Sequence, residues 1–304
     1  MQESASNKQF VIDLLTTLKK ERFSLSGWWH FLARSWHISC ATAHAHPALK
    51  RSWLRVTLLF SGLTLILLFV TFLSTGTTTL FRLLPGFIFC VAWQQSDLFW
   101  HLGLNRQAQT GELLPHVGMA NIITGLRGLA ASYLLGRLIG GLSTPSTLAL
   151  LVFLFGIITD ILDGLVARQT GMQSRLGQIT DSEADFCLYL TVTIILIQNN
   201  VLPLWLGIVM LLRFCVPLLA ALVSYFLLAR PLRFGSTLWG KCAGTAQSLY
   251  FFVLLAPPQL AMLAHVINLP LLIVALALLV AAPIAQIRAN KPARRPQESP
   301  RQLR

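Results

Sequence analysis

Eight long apolar runs divide the chain from about residue 58 onward, and this feature limits the possible folds more than any other. A helix needs about 20 mostly apolar residues to cross a bilayer, and in hydrocarbon every backbone polar group must be satisfied within the segment. The runs fall near Leu58–Ser74, Thr79–Trp93, Met119–Leu138, Leu148–Val166, Phe186–Ile197, Leu202–Leu228, Leu238–Leu255 and Leu260–Ile287. The second and fifth are short, and the start of the fifth is extended by the turn carrying Asp181 and Asp185. Only 12% of the 304 residues are charged and 55% are hydrophobic, which excludes a compact soluble domain. The expected fold is all-α: a polytopic membrane bundle of about eight transmembrane helices.

Charge placement sets orientation. The stretches 140–147, 198–203 and 257–270 contain no Lys or Arg. The alternate loops carry Arg168 and Arg175, then Arg230, Arg233 and Lys241, then a basic tail. Basic loops stay on the cytoplasmic side, so both termini and the acidic cluster described below are expected there, in a multi-pass protein of the cell inner membrane. Arg137, near the outer end of the third run, is an exception. The net charge of +13 gathers at the ends, with eight basic residues before Val56 and six after Ile287. Such flanks suit the anionic headgroups of membrane lipids and argue against nucleic acid as a partner.

The division of the chain follows. Residues 1–55 form a cytoplasmic leader with apolar positions Val11, Leu14, Leu15 and Leu18 at helical spacing and a cluster around Trp28, Trp29 and Trp36. The leader either lies in the headgroup plane or packs on the bundle. Residues 56–97 form an additional transmembrane hairpin, 98–117 a cytoplasmic connector, 118–287 a six-helix membrane domain, and 288–304 a disordered basic tail. The stretch Phe10–Leu18 is too short and lacks a cleavage site for a signal peptide. Five scattered cysteines build neither a disulfide framework nor a CxxC metal pair.

Of eleven acidic residues, five lie within 26 positions: Asp160, Asp163, Asp181, Glu183 and Asp185. Carboxylates at the end of an apolar helix are costly unless a cation compensates them. Asp160, Asp163, Gly164, Ala167 and Arg168 follow helical spacing on one face, and Asp181 and Asp185 are one turn apart on the next helix. Thr170-Gly171 and Gly177 allow a reversal between the two, so the acidic faces can oppose each other. Four carboxylates on antiparallel helices make a hard-oxygen cage for two Mg²⁺ or Mn²⁺ ions. The structural alternative is a helix-end ion network with Arg168, Arg175 and Arg127, which leaves the fixed spacing without a reason.

The string Asp160-x2-Asp163-Gly164-x2-Ala167-Arg168-x8-Gly177-x3-Asp181-x3-Asp185 closely resembles the signature of the CDP-alcohol phosphatidyltransferase family. Asn121-x2-Thr124-x2-Arg127 is similar to the element that opens the family's first core helix. The resemblance spans residues 118–287. It implies that Asp160, Asp163, Asp181 and Asp185 hold the metal, with Asp185 also the general base. It further implies that Asn121, Thr124, Gly164, Ala167, Arg168 and Ser174 contact the CDP moiety of a CDP-linked lipid, and that the chain forms a homodimer. The reaction implied is displacement by an alcohol at phosphorus, with release of CMP.

The acceptor is read from cations. Arg175 before Leu176-Gly177, and Gly240-Lys241 followed by Thr245 and Gln247, are similar to stretches in phosphatidylglycerophosphate synthases. With Arg213 in an apolar span, Arg175 and Lys241 suggest a phosphorylated alcohol such as glycerol 3-phosphate. Phe186 and Ser182-Glu183 depart from that subgroup's pattern, so inositol phosphate, serine or another alcohol stays open. Membrane transport and a non-catalytic scaffold are the alternatives of other classes. A transporter would place its acids near the bilayer midplane rather than at helix ends.

Overall fold

The computed structural model describes residues 23–223 and 238–289. The expected early leader helix around Val11–Leu18, the loop arginines Arg230 and Arg233, and the tail from Asn290 lie outside the described residues. Within them the chain is helical, with no strand and only two isolated bridges.

Nine long helices follow one another: α1 Leu25–Ala45, α2 Pro47–Thr75, α3 Thr77–Trp100, α4 Met119–Ile139, α5 Ser146–Gln169, α6 Arg175–Gln198, α7 Leu204–Leu222, α8 Leu238–Leu254 and α9 Ala261–Ala289. Helices α2 to α9 occupy the eight apolar runs. Four segments are long and apolar enough to cross a membrane by length and hydropathy: Pro47–Thr75, Met119–Ile139, Ser146–Gln169 and Pro258–Ala282. Their outer faces are apolar as well. Leu65, Ile66, Phe69 and Leu73 on α2, and Val266, Ile273 and Val280 on α9, are exposed. Apolar patches of this extent belong against lipid.

The helix ends have local causes. Ser24 caps α1 by accepting from the Gly27 amide at 3.1 Å. Pro47 opens α2, where its missing N–H costs nothing, so this helix begins well before the apolar run and carries Arg51 and Arg55 within it. Gly76, at φ +83°, turns the chain into α3. One face of α1 docks on the end of α3: Trp100 donates its Nε1 proton to Ser35 at 2.7 Å, Ser39 donates to the Trp100 carbonyl, and Trp36 meets Trp100 edge to face. Nearer the start of α1, Leu25 and Trp29 are exposed. The described helix of the leader, α1, therefore packs on the bundle while its first turns keep apolar side chains exposed.

Helix α4 lies between α3, α5 and α6. Its approach to α3 depends on glycine. A Cβ at Gly136 would lie 2.8 Å from the Phe87 backbone, and one at Gly140 would lie 2.4 Å from the Arg82 carbonyl oxygen. Small residues at such crossings let helices pack in lipid without a hydrophobic driving force. One core layer, with Leu134, Phe153, Leu188, Val192, Met210 and Phe251, joins α4 to α5, α6, α7 and α8. A second, with Leu49, Phe60, Leu83, Phe87 and Leu176, joins α2 and α3 to α4 and the start of α6. The connector before α4 is pinned by buried Asn105, which donates to the carbonyls of Leu114 and His116. It also meets the loop before α6, where the Arg175 amide donates to the Arg106 carbonyl at 3.2 Å.

Candidate active site

Three helices build the site. Helix α5 brings Asp160 and Asp163, α6 brings Asp181 and Asp185, and α4 lies beneath with Thr124 and Arg127. The turn between α5 and α6 is made by Gly171 at φ +64° and by Ser174, which caps α6 by accepting from the Gly177 amide at 3.0 Å. Gly177 leaves room for the Asn121 side chain of α4, since a Cβ there would lie 2.7 Å from Asn121 Oδ1. The sequence spacing therefore does what geometry requires of it: both acidic faces turn toward the same point.

That point is the guanidinium of Arg127, which is fully buried. Its Nη1 lies 2.7 Å from Asp160 Oδ1 and 3.3 Å from Asp185 Oδ1. Its Nη2 lies 3.1 Å from Asp163 Oδ2 and also pairs with Asp181 Oδ1. The Thr124 hydroxyl donates to Asp163 Oδ2 at 2.7 Å. Exposure grades the four acids: the Asp163 side chain is 9% exposed and Asp185 26%, whereas Asp181 is 43% and Asp160 47% exposed. The cluster thus has a buried floor and an open mouth. On the other faces of α5 the apolar side chains of Ile158, Ile161 and Leu162 are exposed.

One carboxylate oxygen from each of Asp160, Asp163 and Asp181 lies within 4.8 Å of the others. These donors are all hard oxygens with no thiolate or imidazole among them, a set that fits Mg²⁺ or Mn²⁺. The ion network weighed as an alternative is also present, but its cation is Arg127 alone among the three arginines considered. The guanidinium engages one oxygen of each acid, so each keeps a second oxygen for a metal. Network and metal site are compatible.

The other candidate residues are distributed around this centre. Asn121 adjoins Gly177 at the start of α6, and Gly164 gives room to the Arg168 guanidinium, whose Nη1 would lie 3.2 Å from a Cβ there. Ala167 is half-buried and Arg168 exposed on the last turn of α5. Ser174 is buried, with its hydroxyl engaged in the helix cap. Arg213 lies over the rings of Phe214 and Tyr189 at 4.9 and 5.6 Å, donates to Gln247 Oε1 at 3.4 Å, and is within electrostatic reach of Asp185. Gly244 makes space for it, since a Cβ would lie 2.6 Å from Arg213 Nη2. Arg175 and Lys241 are exposed. From the sequence, Arg127 entered only as one cation of the alternative ion network and as the end of the Asn121-x2-Thr124-x2-Arg127 element, with no catalytic or binding role. Its signal was an arginine one turn after Thr124 in an otherwise apolar helix.

Fold and site together define a polytopic helical membrane protein with a hard-oxygen acidic centre at the ends of its helices. The family model described as CDP-alcohol phosphatidyltransferase matches residues 117–281, and the chain belongs to that family. It is 38% identical over 68 residues to a CDP-diacylglycerol--glycerol-3-phosphate 3-phosphatidyltransferase of Treponema pallidum, covering 22% of this chain and 32% of that protein. It is 32% identical over 120 residues to a probable phosphatidylglycerophosphate synthase of Mycobacterium tuberculosis, covering 38% and 57%. A cardiolipin synthase (CMP-forming) of Streptomyces coelicolor is 40% identical over 65 residues, covering 21% and 30%. The chain thus spans from under a third to a little over half the length of these relatives. No solved structure shows a significant match.

Proposed function

We propose that the protein transfers a phosphatidyl or related phospho-alcohol group from a CDP-linked lipid to an alcohol, releases CMP, and depends on Mg²⁺ or Mn²⁺. The observation that carries this reading is the convergence of Asp160, Asp163, Asp181 and Asp185, at the family's spacing, around one point. Bound divalent ions would neutralise the diphosphate and the leaving phosphate. The residues to hold them are the outer oxygens of the four aspartates.

The chain's own groups supply the rest. Asn121, Gly164, Ala167, Arg168 and Ser174 form the proposed nucleotide side. Gly164 and Ala167 leave room for a flat base against α5, and Arg168 presents a fork of donors to phosphate oxygens. Thr124 acts one step back, orienting Asp163 through its hydroxyl. The alcohol oxygen forms a new bond to the lipid-side phosphorus while the bond from that phosphorus to the bridging oxygen breaks, and CMP leaves with the bridging oxygen. Asp185, one turn beyond Asp181, receives the alcohol proton.

For the acceptor we favour glycerol 3-phosphate. Arg213, held on aromatic rings and within electrostatic reach of Asp185, would meet the phosphate, with Arg175 and Lys241 as the outer cations. The names of the Treponema and Mycobacterium relatives point the same way. The Streptomyces relative supports a second reading, in which the alcohol is a lipid such as phosphatidylglycerol. Purified protein with CDP-diacylglycerol, Mn²⁺ and one acceptor at a time decides: glycerol 3-phosphate, phosphatidylglycerol, inositol phosphate or serine. CMP release with phosphatidylglycerophosphate as product is expected. No CMP with any acceptor would overturn the reaction class, and product from phosphatidylglycerol alone would overturn the acceptor.

A further inference from the structure

Arg127 stands in the middle of an apolar helix with no exposed surface, and its Nε has no hydrogen-bond partner. A buried guanidinium is costly unless it is paired, and four converging carboxylates repel one another unless a cation lies among them. Each arrangement resolves the other's cost. The contacts come from both α5 and α6, so a single side chain ties together the two helices whose acids must meet. Four carboxylates against one guanidinium still leave three negative charges in excess. That excess, on the outer oxygens, is what divalent cations would meet on entering.

We propose that Arg127 is a resident counter-cation, a positioning residue that keeps the four carboxylates converged while no metal is bound. It stays on the buried side when metal enters from the mouth, so metal completes a preformed cage instead of assembling one. The rival role, direct contact with the substrate diphosphate, needs access from the mouth. Arg127 has none, because the carboxylates lie between it and the exposed side. The inference rests on the metal-site reading above.

Thermal unfolding of the full-length protein in detergent, with EDTA or with Mn²⁺ and without substrate, tests it. In EDTA, Arg127→Met is expected to unfold on the order of 10 °C below the wild type. Mn²⁺ should then raise the variant's midpoint by more than it raises the wild type's. A merely structural loss would lower both midpoints equally and leave the Mn²⁺ shift unchanged, which would overturn the proposal. If Arg127→Met does not fold, Arg127→Lys decides. Its single ammonium cannot span four carboxylates, so a lower midpoint in EDTA and a larger Mn²⁺ shift than wild type are again expected. Wild-type values in both conditions would overturn the proposal, as would weakened CDP-lipid binding with an unchanged Mn²⁺ shift. Absence of any Mn²⁺ shift in the wild type would instead refute the metal-site reading, while the EDTA comparison would still report on the counter-cation.

Discussion

Arg127, Arg137 and Arg213 each lie within an apolar helix, and each is compensated differently. Arg127 is surrounded by carboxylates, and Arg213 lies on aromatic faces. Arg137, the exception to the loop-charge pattern, donates to the Ser143 carbonyl at 2.6 Å and to the Thr144 hydroxyl at 3.4 Å. It therefore serves a turn and carries no orientation signal. Among the acids, Asp185 is the one whose proposed role divides between ligand and base. Asp185→Asn is expected to retain CDP-lipid binding in the presence of Mn²⁺ while turnover falls by ~10²–10⁴, the range for a lost general base. Binding lost in parallel with rate would leave it a ligand only. The four aspartates could be read from spacing alone, because helical periodicity fixes which residues share a face. The partners of Thr124 and Ser174 could not, since the group a hydroxyl finds depends on how each helix is rotated in the bundle.

At the scale of elements, apolar runs located α2 to α9, but their ends were set by chemistry that hydropathy does not register. Pro47 starts α2 early, and Ser174 starts α6 well before its apolar portion, which places Asp181 and Asp185 inside the helix. Helix crossings were the least legible feature. Nothing in the spacing of Gly136 or Gly140 names the helix it will meet. The 2.8 Å approach of the Phe87 backbone predicts the result of filling the first position. Gly136→Ala should destabilise the bundle by about 1–3 kcal/mol, because backbone cannot yield as a flexible side chain can. A chemical-denaturation series in detergent measures this. A larger effect than that of Gly62→Ala, where open space surrounds the added methyl, is the expected outcome.

For the whole molecule, the alternation of charged and uncharged loops gives a proposed orientation that one cysteine can test. With the five native cysteines replaced, Ser143→Cys should react with a membrane-impermeant thiol reagent from the outer face of intact cells, and the substitution leaves the carbonyl bonded by Arg137 in place. Reaction from the cytoplasmic side alone would reverse the topology. Helices α1, α2 and α3 lie outside the family match, yet they are packed into the molecule through the crossing of α3 with α4 and the docking of α1 on Trp100.

Helix α5, which carries Asp160 and Asp163, presents exposed apolar side chains at Ile158, Ile161 and Leu162 on its other faces, so the acidic cluster sits on a lipid-facing helix. A two-tailed substrate of the proposed kind need not leave the bilayer to reach the aspartates, because it can slide in along α5 with its acyl chains still solvated by neighbouring lipids. The search for substrate then takes place in two dimensions. Encounter frequency follows the substrate's mole fraction in the membrane, not its concentration in the surrounding water, and inert lipid acts as diluent.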